Sequence, residues 1–370
     1  MHVLLVDLES AWRGGQSQAL LLLRGLRARG HDAQLLSLPG AALAGRASAA
    51  GIPVHAAAAT LRRLGAARLL RRLLRECRFD VVHANEAHAL TAAWLAGAHR
   101  VTSLVAARRV IFPLRRASLS LARYRAAAAI LAVSQAARGE LLAAGLDPAR
   151  IEVVPDGVEL GPPISPEERT RARTRWGIAV DAPVTVYVAS LTSEKGHALL
   201  LDAFAELRRA VPGCRLLLAG SGPLQRSLEE KARGAGLLPA VCFAGFVEDV
   251  RSVLAACDVF LFPSLREGLG SALLSAMGCG LPVVALESGG VTDAVADGRN
   301  GLLVKGASPA QLAAAAASLL NDSAFARRMG ESARQTVTAH FSADRMIEAT
   351  LRIFERLAAG APAAPGRRSA

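Results

Sequence analysis

Short runs rich in Val, Leu and Ile alternate along this chain with longer stretches in which apolar residues return every three or four positions. The short runs have the composition of strands buried on both faces, and the longer stretches have the period of helices packed on one face. Such alternation predicts parallel strands joined by crossover helices. A first series places strands near 2–6, 33–37, 81–83, 101–106, 129–133 and 152–154, with helices such as 16–29 and 61–75 between them. The turn-rich segments Pro155-Asp-Gly-Val158 and Gly161-Pro-Pro-Ile-Ser-Pro166 then interrupt the pattern. A second series has strands near 184–189, 215–219, 241–244, 259–262, 282–285 and 301–304, separated by helices near 198–210, 224–235, 250–255, 271–277 and 309–320. After Phe341 an amphipathic stretch, 344–357, predicts one last helix.

The expected architecture is therefore α/β, with two doubly wound, Rossmann-like domains facing a cleft. The boundaries fall at 1–160 for the first domain, 161–340 for the second, 341–358 for a helix crossing back to the first, and 359–370 for a disordered tail. Composition agrees: 370 residues, 52% hydrophobic and 20% charged, suffice for two cores and exclude a mini-protein or a mainly disordered chain.

Charge adds a direction. The net charge is +13, and Lys195, Lys231 and Lys305 are the only lysines, so the basic character is arginine. Residues 1–163 hold 21 arginines against 11 acids, which puts most of the positive field in the first half. Within it, Arg62, Arg63, Arg68, Arg71, Arg72 and Arg75 interleave with Leu64, Leu69, Leu70, Leu73 and Leu74, the pattern of a basic amphipathic helix suited to an anionic membrane surface or to a solvated face. Nucleic acid is not expected as a partner, because aromatics make up only 4% and no nucleic-acid-binding motif is present. The five cysteines lack paired or zinc-ligand spacing and read as buried small apolar residues of a reducing compartment. The chain meets an acid, Asp7, within its first seven residues, and no apolar run approaches the roughly 18 residues of a membrane span. A cytoplasmic protein, with a peripheral place on the inner face of the cytoplasmic membrane, is the expectation.

Candidate chemistry concentrates at Phe262-Pro-Ser-Leu-Arg-Glu267-Gly268-Leu269-Gly270-Ser271, where a strand ends, a glycine-containing loop follows and a helix begins. In open α/β sheets ligands bind beyond the carboxyl ends of strands, where helix N-termini offer N–H groups to anions. A phosphate would lie against the amides of Gly268, Leu269, Gly270 and Ser271, with Glu267 placed to accept hydrogen bonds from a polyol. In the first half, His83, Glu86 and His88 follow a strand, and they could supply a general base or hold an acceptor hydroxyl. Their spacing is not that of a zinc helix, no D-x-D is present, and neither Gly220-Ser-Gly222 nor Gly268-Leu-Gly270 has the third glycine of a dinucleotide fingerprint. No metal and no cofactor are expected.

Taken in order, Ala132-Val-Ser134, Val153-Val-Pro-Asp-Gly157, Ala189-Ser-Leu-Thr-Ser-Glu-Lys-Gly196, Ala219-Gly-Ser-Gly-Pro223, Phe243-Ala-Gly-Phe-Val247 and the Glu267 segment running on to Pro282-Val-Val284 resemble the signature of the retaining glycosyltransferases of family 4, which have the GT-B fold. The resemblance runs through nearly the whole chain. It implies that Lys195 neutralises the diphosphate of a nucleotide-sugar donor, that Gly14 and Gly15 let backbone approach that phosphate, that Glu267 holds sugar hydroxyls and that Val247 lies near the base. Three positions depart from the family pattern. Ser275 stands where a second glutamate grips the ribose, Ser190 stands where an arginine is usual, and Val105-Ala-Ala-Arg108-Arg109 stands where a histidine is often found. Arg108 or Arg109 is the candidate replacement for a lost cation, and Arg109 also joins His83 and Glu86 as an acceptor-side candidate.

The function so implied is transfer of a sugar, with retention, from a nucleotide-diphosphate donor to a glycan or lipid-linked acceptor in envelope polysaccharide or lipopolysaccharide assembly. Lys195, Glu267, His88 and Arg108 are the catalytic candidates. A sugar-nucleotide epimerase on the same fold, and a binding module that has lost turnover, are the alternatives.

Overall fold

A computed structural model describes residues 1–58, 62–114 and 119–360. Leu61, at the expected start of the basic helix, and 361–370 of the expected tail lie outside the described residues. The chain divides into two compact units, Met1–Pro155 together with the stretch from Asp344, and Asp156–Ala343. The division falls at Pro155, ahead of the expected 160, because Val158 already bridges to Ser342 within the second unit.

Unit 1 runs β1 (His2–Val6), α1 (Gly14–Ala28), β2 (Asp32–Ser37), α2 (Ala42–Ala49), β3 (Val54–Ala56), α3 (Arg62–Glu76), β4 (Val81–Ala84), α4 (Ala87–Ala96), β5 (Ser103–Arg108), α5 (Leu119–Arg125), β6 (Ala129–Ala132), α6 (Gln135–Ala143) and β7 (Ile151–Val153). All the strands pair in parallel, in the order β3-β2-β1-β4-β5-β6-β7. The order reverses between β1 and β4, so the loops after these two strands part there and leave the crevice in which doubly wound sheets bind ligands. Val3 to Val6 are at most 1% exposed, as a strand covered on both faces requires.

Unit 2 runs α7 (Pro166–Arg175), β8 (Val184–Val188), α8 (His197–Ala210), β9 (Arg215–Ala219), α9 (Gln225–Gly234), β10 (Val241–Gly245), α10 (Val250–Leu254), β11 (Val259–Phe262), α11 (Ser271–Gly278), β12 (Val283–Leu286), α12 (Val291–Ala294), β13 (Leu302–Val304), α13 (Pro309–Asn321) and α14 (Ser323–His340). Its sheet, also parallel, has the order β10-β9-β8-β11-β12-β13, with the reversal between β8 and β11. The last helix, α15 (Ala343–Ala359), buries Met346, Ile347, Thr350, Ile353 and Phe354 on one face. It packs so closely on α1 that a Cβ at Gly25 would lie 2.3 Å from Ile347 Cδ1. Arg29 pairs with Asp344 at 2.8 Å at its start.

Several expectations need correction. β5 spans Ser103–Arg108, two residues later than 101–106, because Val101 is 68% exposed and follows a helical turn. The three-residue β3 and the long α14 were not anticipated; α14 buries only Met329, Gly330, Ala333 and Val337, too sparse a stripe to stand out among its polar residues. Cys214 and Cys257 are buried, but Cys242 and Cys279 are half-buried and Cys77 is exposed; all five are free. No helix among the described residues is long and apolar enough to cross a membrane.

Candidate functional site

In unit 2 the switch point brings together two residues that lie 72 apart in sequence. Lys195 sits in a 3₁₀ turn, Ser193–Lys195, after β8, and Glu267 in the loop after β11. Lys195 Nζ lies 2.6 Å from Glu267 Oε2, and Ser264 Oγ donates to the same oxygen at 3.0 Å. Backbone contacts set this geometry. Gly196 has φ +70°, and a Cβ there would lie 2.1 Å from the Pro263 carbonyl oxygen, so only glycine lets the lysine turn rest on the end of β11. Leu265 N–H donates to Glu194 O at 2.9 Å, and the buried Tyr187 hydroxyl donates to Lys195 O at 2.9 Å. His197, which the sequence did not single out, is 2% exposed beside Tyr187; burial first, then the charge of Lys195, lowers its pKa to about 4 and leaves it neutral.

The phosphate-suited loop has the expected form. Gly268, Leu269 and Gly270 are buried, and α11 starts at Ser271 with Gly270, φ +100°, as its N-cap. No side chain among the described residues caps this terminus, so its first N–H groups keep their capacity for an anion. Ser275, one turn along α11, donates its hydroxyl to Ser271 O at 3.0 Å, a bond back into its own helix. Ser190 Oγ lies 3.4 Å from Thr192 Oγ1 after β8, and Val247 is half-buried in the loop after β10.

Unit 1 gathers a second polar group at its own switch point. Gly14 and Gly15 are not in the loop before the helix: they form the first turn of α1. Asp7, fully buried just after β1, accepts from Gln16 Nε2 at 3.0 Å and from Asn85 Nδ2 at 2.7 Å. Burial raises its pKa, against the pull of those two amides. Asn85 Nδ2 also donates to Gly15 O at 3.1 Å, and Asn85 Oδ1 accepts from an Arg109 guanidinium nitrogen at 2.7 Å. Asp7 and Asn85 are single polar residues after strands and look in the sequence like solvated turn residues, and Gln16 looks like a polar residue on the outer face of α1.

The other candidates divide. Glu86 is the N-cap of α4, accepting from the amides of Leu8, His88 and Ala89; burial outweighs those bonds and pushes its pKa up to about 7. His88 Nδ1 accepts from Arg63 Nε at 2.8 Å, so the neutral ring carries its proton on Nε2, 4.0 Å from Glu9. That tautomer suits His88 to donate to an acceptor oxygen and not to act as base. His83 lies inside β4, 1% exposed, not at an open edge; neither ring nitrogen has a partner among the described residues, and burial lowers its pKa to about 3. It lines a small cavity with Leu22, Arg109, Met346 and Thr350. Arg108 is 7% exposed, donates to Phe112 O and lies 5.9 Å from the Tyr124 ring, so the later end of β5 buries Arg108 and leaves Arg109 beside Asn85. Glu9, Glu86 and His88 present ligand atoms within 4.8 Å of one another. Arg62 pairs with Glu9 at 3.1 Å, Arg63 donates to His88, and the amides of Leu8, His88 and Ala89 donate to Glu86, so each member of the trio already has polar partners.

The family described as Glycosyl transferases group 1 matches residues 168–336, and Glycosyltransferase Family 4 matches residues 12–161. A putative glycosyltransferase of Bacillus subtilis (strain 168), EpsD, is 32% identical over 192 residues, 52% of this chain and 50% of that protein. A GDP-mannose-dependent alpha-(1-6)-phosphatidylinositol monomannoside mannosyltransferase of Mycolicibacterium smegmatis is 35% identical over 214 residues, 55% of each chain. The chain thus spans about half the length of these curated relatives. The crystal structure of Anabaena Alr3699/HepE in complex with UDP and glucose aligns with a TM-score of 0.87 at 22% identity, over 96% of this chain and 99% of that one, a likeness of fold.

Proposed function

We propose that this chain, which belongs to the family 4-type glycosyltransferases of GT-B fold, transfers a sugar from a nucleotide-diphosphate donor to a glycan or lipid-linked acceptor with retention of anomeric configuration. The observation that carries the reading is the Lys195–Glu267 pair at the β8/β11 switch point, on the same sheet edge as the uncapped N-terminus of α11. Breaking the bond between the anomeric carbon and the diphosphate leaves negative charge on phosphate oxygens. The Lys195 ammonium and the α11 amides are groups that stabilise such charge. Glu267, held by Ser264 and Lys195, offers carboxylate oxygen to sugar hydroxyls. Retention and the envelope-glycan role rest on the family resemblance.

On this reading unit 2 holds the donor and unit 1 the acceptor, with His88 donating to an acceptor oxygen and Arg109 supplying the cation. The Anabaena neighbour is described with UDP and glucose and the mycobacterial relative as GDP-mannose-dependent, so UDP- and GDP-sugars are the first donors to try. A cytoplasmic protein resting on an anionic membrane is the proposed setting. Arg68 and Arg75 on α3 are exposed, as is Leu64, at 44%, whereas Arg71 is held by the Leu95 carbonyl at 2.6 Å.

The test is a panel of nucleotide sugars incubated with the full chain and candidate glycan or lipid-linked acceptors, with the anomeric configuration of product read by NMR. A glycoside of the donor's own configuration is expected. Inverted product would refute retention, and nucleotide-sugar binding without transfer to any acceptor would refute the enzyme reading.

A further inference from the structure

Asp7, Asn85 and Arg109 are each the first residue beyond a strand, and those strands, β1, β4 and β5, are neighbours in the sheet. Their side chains therefore form a line across the sheet edge at the switch point of unit 1. The hydrogen bonds run one way along it. Asn85 is 4% exposed and its amide is fully used: Nδ2 gives one proton to Asp7 Oδ2 at 2.7 Å and one to Gly15 O at 3.1 Å, and Oδ1 accepts from Arg109 at 2.7 Å. Two acceptors on one side and a donor on the other allow a single orientation of the amide. Asp7, fully buried, also takes Gln16 Nε2 at 3.0 Å on the same oxygen and the Glu9 amide at 3.0 Å on the other. Each of these contacts needs an acceptor at residue 7. Arg109 is half-exposed, and the place a Cβ would take on Gly15 is 3.9 Å from its Cδ, so the held guanidinium lies beside the first turn of α1. His83 lines the cavity on which Arg109 also borders.

We propose that Asp7 and Asn85 are positioning residues for Arg109, the Asp7 carboxylate fixing the Asn85 amide and the Asn85 oxygen fixing the guanidinium. The consequence for transfer rests on the reading of Arg109 as an acceptor-side cation. A carboxylate is required at position 7 because it accepts on both oxygens. Asp7→Asn has the same shape but must turn an NH2 group either toward the amides of Gln16 and Asn85 or toward the Glu9 amide. In the first case Asn85 reverses and presents its own NH2 to Arg109.

The test uses nitrogen-15 NMR of the arginine side chains in the full chain, with the Arg109 signal assigned by its loss in Arg109→Lys. Guanidinium rotation should be slow in the wild type and faster in Asp7→Asn and Asn85→Ser, although residue 7 does not touch Arg109 in the line of contacts. Transfer on the donor and acceptor pair found by the panel should fall about tenfold or more in each single variant. Asn85→Asp should be impaired because it sets two carboxylates together, and Asp7→Asn/Asn85→Asp should be less impaired than the product of its parents, a coupling that a general loss of stability would not give. Thermal unfolding reports whether each variant folds, and Asn85→Ser keeps the test open should Asp7→Asn fail to fold. Unchanged Arg109 rotation in Asp7→Asn and Asn85→Ser overturns the proposal. Freed rotation together with wild-type transfer by Arg109→Ala would leave the relay in place and refute the acceptor-side role of Arg109 instead.

Discussion

Replacing Lys195 by alanine separates a structural pair from a donor-binding one. The Lys195 and Glu267 side chains are 22% and 13% exposed, between the surface pairs worth about 0.2–1 kcal/mol and the fully buried ones whose disruption costs about 3–5 kcal/mol. Glu267 keeps its bond from Ser264, so it is not stranded. A loss of about 1–2 kcal/mol in unfolding free energy is expected for Lys195→Ala, and less for Glu267→Gln, which keeps an oxygen for Lys195. If Lys195 meets the diphosphate, the same change also removes a charge-assisted hydrogen bond worth about 1.5–3 kcal/mol in the transition state, a fall of roughly ten- to a hundredfold in turnover. Urea unfolding and initial-rate release of nucleoside diphosphate, on the same preparations, give the two numbers. A variant that loses stability as calculated but turns over within about twofold of the wild type would make the pair a strut between two loops and refute its catalytic reading.

Gly270→Ala should cost about 2–3 kcal/mol in urea unfolding and weaken nucleotide binding by calorimetry, because φ is +100° and the new Cβ would lie 2.8 Å from Phe262 Cζ; an unperturbed variant would mean the loop is not set by this glycine. Ser275→Glu should tighten binding of UDP or GDP or leave it unchanged, since the serine hydroxyl bonds only its own helix carbonyl among the described contacts; abolished binding would show a pocket built around the small residue. Glu86 has a folded-state pKa of about 7 against an ordinary 4.5, so its contribution to stability is present below about pH 4.5 and is lost as pH rises through 7. Glu86→Gln should flatten that fall in urea unfolding between pH 5 and 8, and an unchanged slope would contradict it. Replacing Arg68, Arg72 and Arg75 by glutamine should reduce flotation with anionic liposomes, each arginine contributing about 1 kcal/mol near such a surface; unchanged flotation would refute α3 as the membrane face.

Much of the fold was legible because its strands are covered on both faces. Val259 to Phe262, at most 2% exposed, admit no polar residue, and β11 falls where the apolar run predicts it. β3 offers only Val-His-Ala at a sheet edge, half-buried or exposed, so no burial pattern marks it. The later end of β5 mattered more: it makes Arg108 the last residue of the strand, buried near Tyr124, and Arg109 the first residue beyond it, beside Asn85. Lys195 and Glu267 could be joined only through the family motifs, since nothing local relates residues 72 apart. The Asp7–Asn85–Arg109 line depends on strand order, which hydropathy does not encode.

The most direct measurement is a crystal structure of the full chain with the nucleotide sugar that stabilises it most. The donor diphosphate is expected within hydrogen-bond distance of Lys195 Nζ and the amides at Gly270 and Ser271 where α11 begins, with Glu267 accepting from sugar hydroxyls. A diphosphate bound away from Lys195 and α11, with Lys195 Nζ still 2.6 Å from Glu267 Oε2, would contradict it.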